Sequence, residues 1–204
     1  IAKRFAIDDQ STAMLVLIKL PAIAADLAAG VMLYRFGMRR LGRTLAFSLA
    51  LLWLFNPAVL VDSAAWGQVD AVFALAAALV LITLINGRLE LAFALFAAAV
   101  LIKPQALMYA PVLLFALVAA RNVKRIGFSV LCALAAFVLL ILPFSVRNEA
   151  GPLWIAELYR DTLASYPYAT LNAFNLYALI GANWAPVESD FLFLSYQTWG
   201  TVFI

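Results

Sequence analysis

Five residues, Trp66-Gly67-Gln68-Val69-Asp70, stand between two long apolar runs, Leu45 to Ala65 and Ala71 to Leu84. Polar groups in such a place must face water, protein or a ligand, because lipid offers them no partner. Asp62, Trp66 and Asp70 are spaced by four and share one face if a helix continues through them. Gly67 would break that helix and bare backbone groups beside Gln68. One reading is a wet pocket at a membrane surface with Asp70 and Gln68 on its rim; the other is a polar turn between two spans.

Lys103-Pro104-Gln105 is a second such place, set between the apolar stretches Leu89 to Ile102 and Ala106 to Ala120. A lysine there costs free energy unless an anion or a carboxylate meets it. A phosphate contact and a lysine snorkelling to the headgroups both satisfy that requirement. A third place is the long segment 147–190, with Tyr166-Pro167-Tyr168 and Asn172-Ala173-Phe174-Asn175. Its aromatics, Tyr168 among them, form either an interfacial belt or a platform for a sugar ring. Asn172 and Asn175, one helical turn apart, would present two amides to one ligand.

Composition limits the rest. Apolar residues make up 67% of the 204 and charged residues 12%, against roughly half and about a quarter in a soluble domain. A core cannot absorb that excess, so lipid is the solvent for most of the chain. The apolar residues run continuously, which excludes an alternating β-barrel pattern, and the runs are too many for a cleaved signal peptide. Cys132 is the only cysteine and there is no histidine. Disulfides within the chain, four-thiolate zinc sites and histidine-based catalysis are thereby excluded. Acid–base chemistry is left to carboxylates, Lys or Tyr. The net charge of +3 does not indicate nucleic acid, because the basic residues cluster at span ends.

The expected fold is an all-α polytopic transmembrane bundle of about six to seven spans, two of them short or broken. It forms one domain, residues 1–204, with an outer segment at about 147–190. The chain begins at Ile1 and stops at Ile204 inside an apolar run, which reads as a piece of a longer protein, incomplete at both ends. A first span runs from Thr12 to Tyr34, with Pro21 predicting a kink and with Lys19 and Asp26 facing the bundle interior. Those two are too far apart to pair directly along a straight helix. The arginine-rich loop 35–43 is a strong cytoplasmic signal. A second span, Thr44 to Ala65, is interrupted at Asn56-Pro57, and a third covers Ala71 to Ile85. Turns at 86–90 and 121–125 carry more Lys and Arg and are cytoplasmic, which puts 66–70 and 147–190 outside. Another span runs from Ile126 to Val146, and a final one starts near Phe191.

Three stretches taken in order carry a resemblance. They are Asn56-Pro57-Ala58 with Trp66-Gly67-Gln68-Val69-Asp70; Lys103-Pro104-Gln105; and Asn172-Ala173-Phe174-Asn175-Leu176-Tyr177 with Gly181-Ala182-Asn183-Trp184. Lys19-Leu20-Pro21 with Asp26, and Leu194 to Gly200, fit the same pattern. The chain resembles bacterial membrane mannosyltransferases related to GPI mannosyltransferase 2, of the GT-C class of glycosyltransferases. The resemblance implies a multi-span plasma-membrane enzyme that uses a polyprenyl-phosphate sugar and inverts the anomeric carbon on the outer face. It also implies a catalytic carboxylate in an outer loop before the first span seen here, outside this chain. Lys103 would then stabilise the leaving phosphate. Asp70 or Asp62 would bind a hydroxyl, help hold a divalent cation or act as base. Gln68, Gln105, Asn172 and Asn175 would bind the substrate, and Trp66 or Tyr168 would stack on a sugar face. Two rivals stay open: a lipid-linked sugar transporter using the same pocket, and a non-catalytic membrane subunit of a larger complex.

Overall fold

The computed structural model describes residues 11–146, 151, 153–171, 173 and 175–202, and only the backbone of residues 163 and 164. It is 78% helical, as the continuous apolar runs require. The chain divides into two compact units, with the boundary between Pro143 and Phe144.

In the first unit, α1 (Thr12–Leu41) starts on Ser11, whose hydroxyl accepts from the Met14 amide at 3.2 Å. It continues through Pro21 as one helix of 30 residues, about 45 Å long. The stretch 35–43, expected as a loop, is therefore mostly helix. Arg35, Arg39 and Arg40 are good helix formers, and only Gly42, at φ +81°, turns the chain into α2 (Arg43–Leu54).

Small residues hold α1 to its neighbours. Ala22, Ala25, Ala29, Gly30 and Gly37 form its buried face, and Ala46 and Ala50 that of α2. A Cβ on Gly30 would lie 2.9 Å from Leu54 Cγ. Such close approach is how helices gain packing contacts where no hydrophobic drive separates protein from lipid.

Asn56-Pro57 breaks the second apolar run as expected. Asn56 Oδ1 accepts from the Ala58 amide at 2.9 Å, and Pro57 opens α3 (Pro57–Leu60) at a position where its missing N–H costs nothing. A π-helical turn follows (Val61–Trp66). The bend between the two halves is 43°.

α4 (Asp70–Ile85) and α5 (Leu89–Ile102) form a hairpin closed by Asn86-Gly87-Arg88. Pro104 forces Lys103 into extended backbone, φ −146° and ψ 124°, and so ends α5. A 3₁₀-helix (Pro104–Tyr109) leads into α6 (Ala110–Ala120). Val80, Leu89, Phe93 and Leu113 make the largest buried cluster, from α4, α5 and α6. α7 (Val123–Ser145) buries only Ser129. Its root is tied to the hairpin turn, because Arg125 Nε donates to Glu90 Oε1 at 2.8 Å and Nη2 donates to the Gly87 carbonyl.

α1 and α7 are each long and apolar enough to cross a membrane, and α2 with α3 and the π turn would make a third, bent crossing. α4, α5 and residues 104–120 are shorter apolar helices. Exposed large apolar side chains cover these helices, Leu52, Phe115, Val118 and Leu139 among them. This is the outer surface that lipid, and not water, would cover.

The second unit holds α8 (Trp154–Ala164), α9 (Leu176–Leu179), a two-residue hairpin of β1 (Asp190–Phe191) and β2 (Leu194–Ser195), and α10 (Tyr196–Val202). The helix expected near Phe191 thus begins at Tyr196. The hairpin takes the first residues, held by pairing of Asp190 with Ser195 and Phe191 with Leu194.

Gly67 sits at φ +83°, and a Cβ there would lie 2.9 Å from Lys19 Cγ. Gly67→Ala combines left-handed strain with a clash, so thermal unfolding of the full-length protein in detergent should show a loss of about 1–3 kcal/mol. Gly87→Ala, at φ +71° with nothing within 4 Å of the added carbon, should cost only the strain. Equal losses at the two glycines would mean that Lys19 does not lie over Gly67.

Candidate functional site

The break between the π turn and α4 is where the polar residues gather. The Asp62 carbonyl accepts two amides, from Gly67 at 2.9 Å and from Gln68 at 3.0 Å. A π turn closed by a left-handed glycine satisfies these donors without continuing the helix. The helix does not continue from Trp66 to Asp70, so the condition for the shared face expected from the spacing of four is not met. The reason is geometric: a π turn winds more residues per turn, and Gly67 at φ +83° then ends it.

Two lysines grip this break. Lys19 Nζ, from α1, donates to the Ala65 carbonyl at 2.7 Å while its stem covers Gly67. Lys103 Nζ donates to Asp70 Oδ1 in an ion pair whose side chains are 28% and 47% exposed. Their positions follow from the hairpin. Asp70 opens α4 and Lys103 caps α5, and the two helices are nearly equal in length and joined at their other ends. Each charge also suits its own helix dipole, the carboxylate at an N-terminus and the ammonium at a C-terminus.

The remaining polar residues of the first unit are placed as follows. Gln68 is half-buried, and its side chain bonds to no described residue. Trp66 is 73% exposed. Gln105 is exposed in the first turn of the 3₁₀-helix. Asp62 is half-buried, and its carboxylate pairs with no described residue. Asp26 is buried at 7% exposure beside Ala22 and Ala25 and likewise pairs with none. Lys19 and Asp26 therefore do not meet, and the partner of Lys19 is a backbone carbonyl freed by the break.

Tyr168 and Asn175 belong to the second unit. Tyr168 packs edge-on against Trp184, with centroids 5.4 Å apart. Asn175 caps α9 by accepting from the Ala178 amide at 3.1 Å, and its Nδ2 donates to Thr170 Oγ1 at 3.0 Å. Its amide is thus engaged within the fold, and it precedes the helix instead of lying on it. Asn175 also borders an apolar hollow of about 490 Å³ with Tyr177, Phe191 and Trp199. Asn172 lies outside the described residues. Burial pushes the Tyr159 phenol, on α8, above its ordinary value.

No group of three or more His, Cys, Asp or Glu side chains able to hold a metal ion occurs among the described residues. Ser63, in the π turn, is 2% exposed, and its hydroxyl has no hydrogen-bond partner among the described residues. A buried orphan hydroxyl at a helix break calls for an explanation, and the sequence offered no signal for it. The grip of Lys19 on Ala65 was equally hidden, although a lysine within an apolar span announced that some partner existed.

Asp70→Asn and Lys103→Gln should be coupled by about 0.5–1 kcal/mol in a double-mutant cycle on thermal unfolding, the range for a partly exposed pair. Losses that simply add would mean the pair contributes nothing. No family model, curated protein or solved structure matches this chain.

Proposed function

We propose that this chain is the donor-binding part of an integral-membrane glycosyltransferase, mannosyltransferase-like and of the GT-C class. It takes its sugar from a polyprenyl phosphate at the extracytoplasmic surface of the plasma membrane. The observation that carries the reading is the Asp70–Lys103 pair beside the gripped helix break.

In this reading the apolar helices are all spans, about six to seven in number. The ends bearing Arg35, Arg39, Arg40, Arg88 and Arg125 face the cytoplasm. The bonds from Arg125 to Glu90 and Gly87 support it by gathering the basic turns at one end of α4 and α5. Asp70 and Lys103 occupy the opposite ends of the same helices.

The donor phosphate would take the place of Asp70 at Lys103, and its isoprenoid tail would lie along the exposed apolar helices. An acceptor hydroxyl oxygen attacks the anomeric carbon, the bond from that carbon to the phosphate oxygen breaks, and the bonding pair leaves with the lipid phosphate. Lys103 stabilises the charge that develops there. The acceptor proton goes to a carboxylate: Asp70 once freed from Lys103, Asp62, or a residue of the wider protein. Gln68 and Gln105 offer amides to sugar hydroxyls, and exposed Trp66 offers a stacking face.

One observation favours a second reading. The pair already satisfies both Asp70 and Lys103, as an interhelical tie in a non-catalytic subunit would. In the full-length protein, Lys103→Ala should cut transfer from polyprenyl-phosphate mannose by about 10²–10³ with normal membrane insertion. The double change Asp70→Leu with Lys103→Met separates the readings, because an apolar swap keeps a structural tie. Transfer should vanish if the pair handles substrate; full transfer in the double variant overturns that role and leaves the pair as a structural tie. For the topology, a cysteine at Gln68 should react with an impermeant maleimide on intact cells and one at Arg39 should not. The reverse labelling would invert the orientation.

A further inference from the structure

The other end of the first unit carries a site of its own. Between the C-terminal turns of α1 and α4 lies an open groove of about 540 Å³. Its polar lining is Arg35, Arg39, Arg40 and Asn86, and Val31 and Leu79 are among its apolar lining. The three guanidiniums form no salt bridge with any described carboxylate. Arg40 lies over the Phe36 ring at 4.0 Å, which holds that side chain by a cation–π contact. Arg35 and Arg39 are four residues apart, and so stand one above the other on the same face of α1.

Like charges gathered this closely repel one another. The negative ends of both helix dipoles, α1 at Leu41 and α4 at Ile85, offset part of that cost. An anion bound among the guanidiniums would offset more, and arginine forks match phosphate oxygens in geometry. The apolar part of the lining identifies the source of the phosphate. Val31 is 51% exposed on a helix apolar enough to cross a membrane, so the groove joins its arginines to a wall that lipid would cover. A free phosphate ion would use only the arginines. An anionic phospholipid uses both, with its headgroup among the arginines and the start of an acyl chain against Val31 and Leu79.

We infer that this groove is a binding site for an anionic phospholipid of the leaflet that the arginine-bearing end faces. The inference needs α1 to sit in a membrane and is independent of the glycosyl-transfer reading.

The test uses the full-length protein in detergent, with native mass spectrometry counting retained lipid. The probes are phosphatidylglycerol, phosphatidylcholine and inorganic phosphate. Phosphatidylglycerol should be retained in clear preference to phosphatidylcholine, and millimolar phosphate should not displace it. Arg35→Gln with Arg39→Gln and Arg40→Gln should lower that preference roughly fivefold per arginine, on the order of 100-fold together. Leu79→Trp keeps every charge and fills the groove, so it should also abolish retention. Lys124→Gln, an exposed basic residue outside the groove, should change nothing. Equal retention of the two lipids, displacement by phosphate, undiminished retention in Leu79→Trp, or an equal loss in Lys124→Gln would each overturn the inference.

Discussion

A helix that breaks among apolar neighbours frees backbone carbonyls and amides that lipid cannot satisfy, and each must find a partner in the protein. This chain breaks at 61–70 and meets the requirement in two ways. One carbonyl, that of Asp62, serves two amides, and a lysine from another helix serves the carbonyl of Ala65. The left-handed Gly67 makes the first possible and leaves room for the Lys19 stem. The start of α4, with Asp70 at its head, is therefore held from two sides, by Lys19 on the break and by Lys103 on the carboxylate.

The packing around the break serves that arrangement. The alanine and glycine face of α1 lets it lie close to α2, and Ala22 and Ala25 meet Ala71 at the start of α4. Such closeness brings Lys19 within reach of the π turn. The hairpin of α4 and α5 rests on larger side chains, Val80, Leu89 and Phe93 with Leu113, and that core fixes the level of Lys103 against Asp70. The two ends of the first unit differ in charge chemistry: an acid and a lysine are paired at the break, whereas basic residues predominate where α1 and α4 finish, with Glu90 paired to Arg125. A membrane-embedded chain meets different chemistry at its two surfaces, and a polarised bundle of this kind suits it.

Much of this was legible in the sequence because the deciding signals are local. Asn56-Pro57, Asn86-Gly87 and Lys103-Pro104 each set a boundary within a residue or two of the observed one, since caps and proline act on their immediate neighbours. Gly67 announced a break for the same reason. The helix through 35–41 was less legible, because arginines that mark a membrane face are also good helix formers. The π turn was not legible at all: Val61-Asp62-Ser63-Ala64 would suit an ordinary helix, and only the tertiary hold on Ala65 and Gly67 selects the wider winding. Asn175 looked like a helix-face residue and is a cap, since asparagine competes for backbone amides at helix starts. The Lys103–Asp70 contact follows from hairpin geometry once both helix lengths are known, and those came from the boundaries.

In the proposed function, Lys103 is the contact for a lipid-linked phosphate beside the gripped break. Its most direct test is a photoreactive polyprenyl phosphate, bound to the full-length protein in membranes and mapped by mass spectrometry. Adducts are expected within 61–70 and at 102–105, and should be lost when Lys103 becomes alanine. Adducts confined to other segments, and undiminished in that variant, would contradict it.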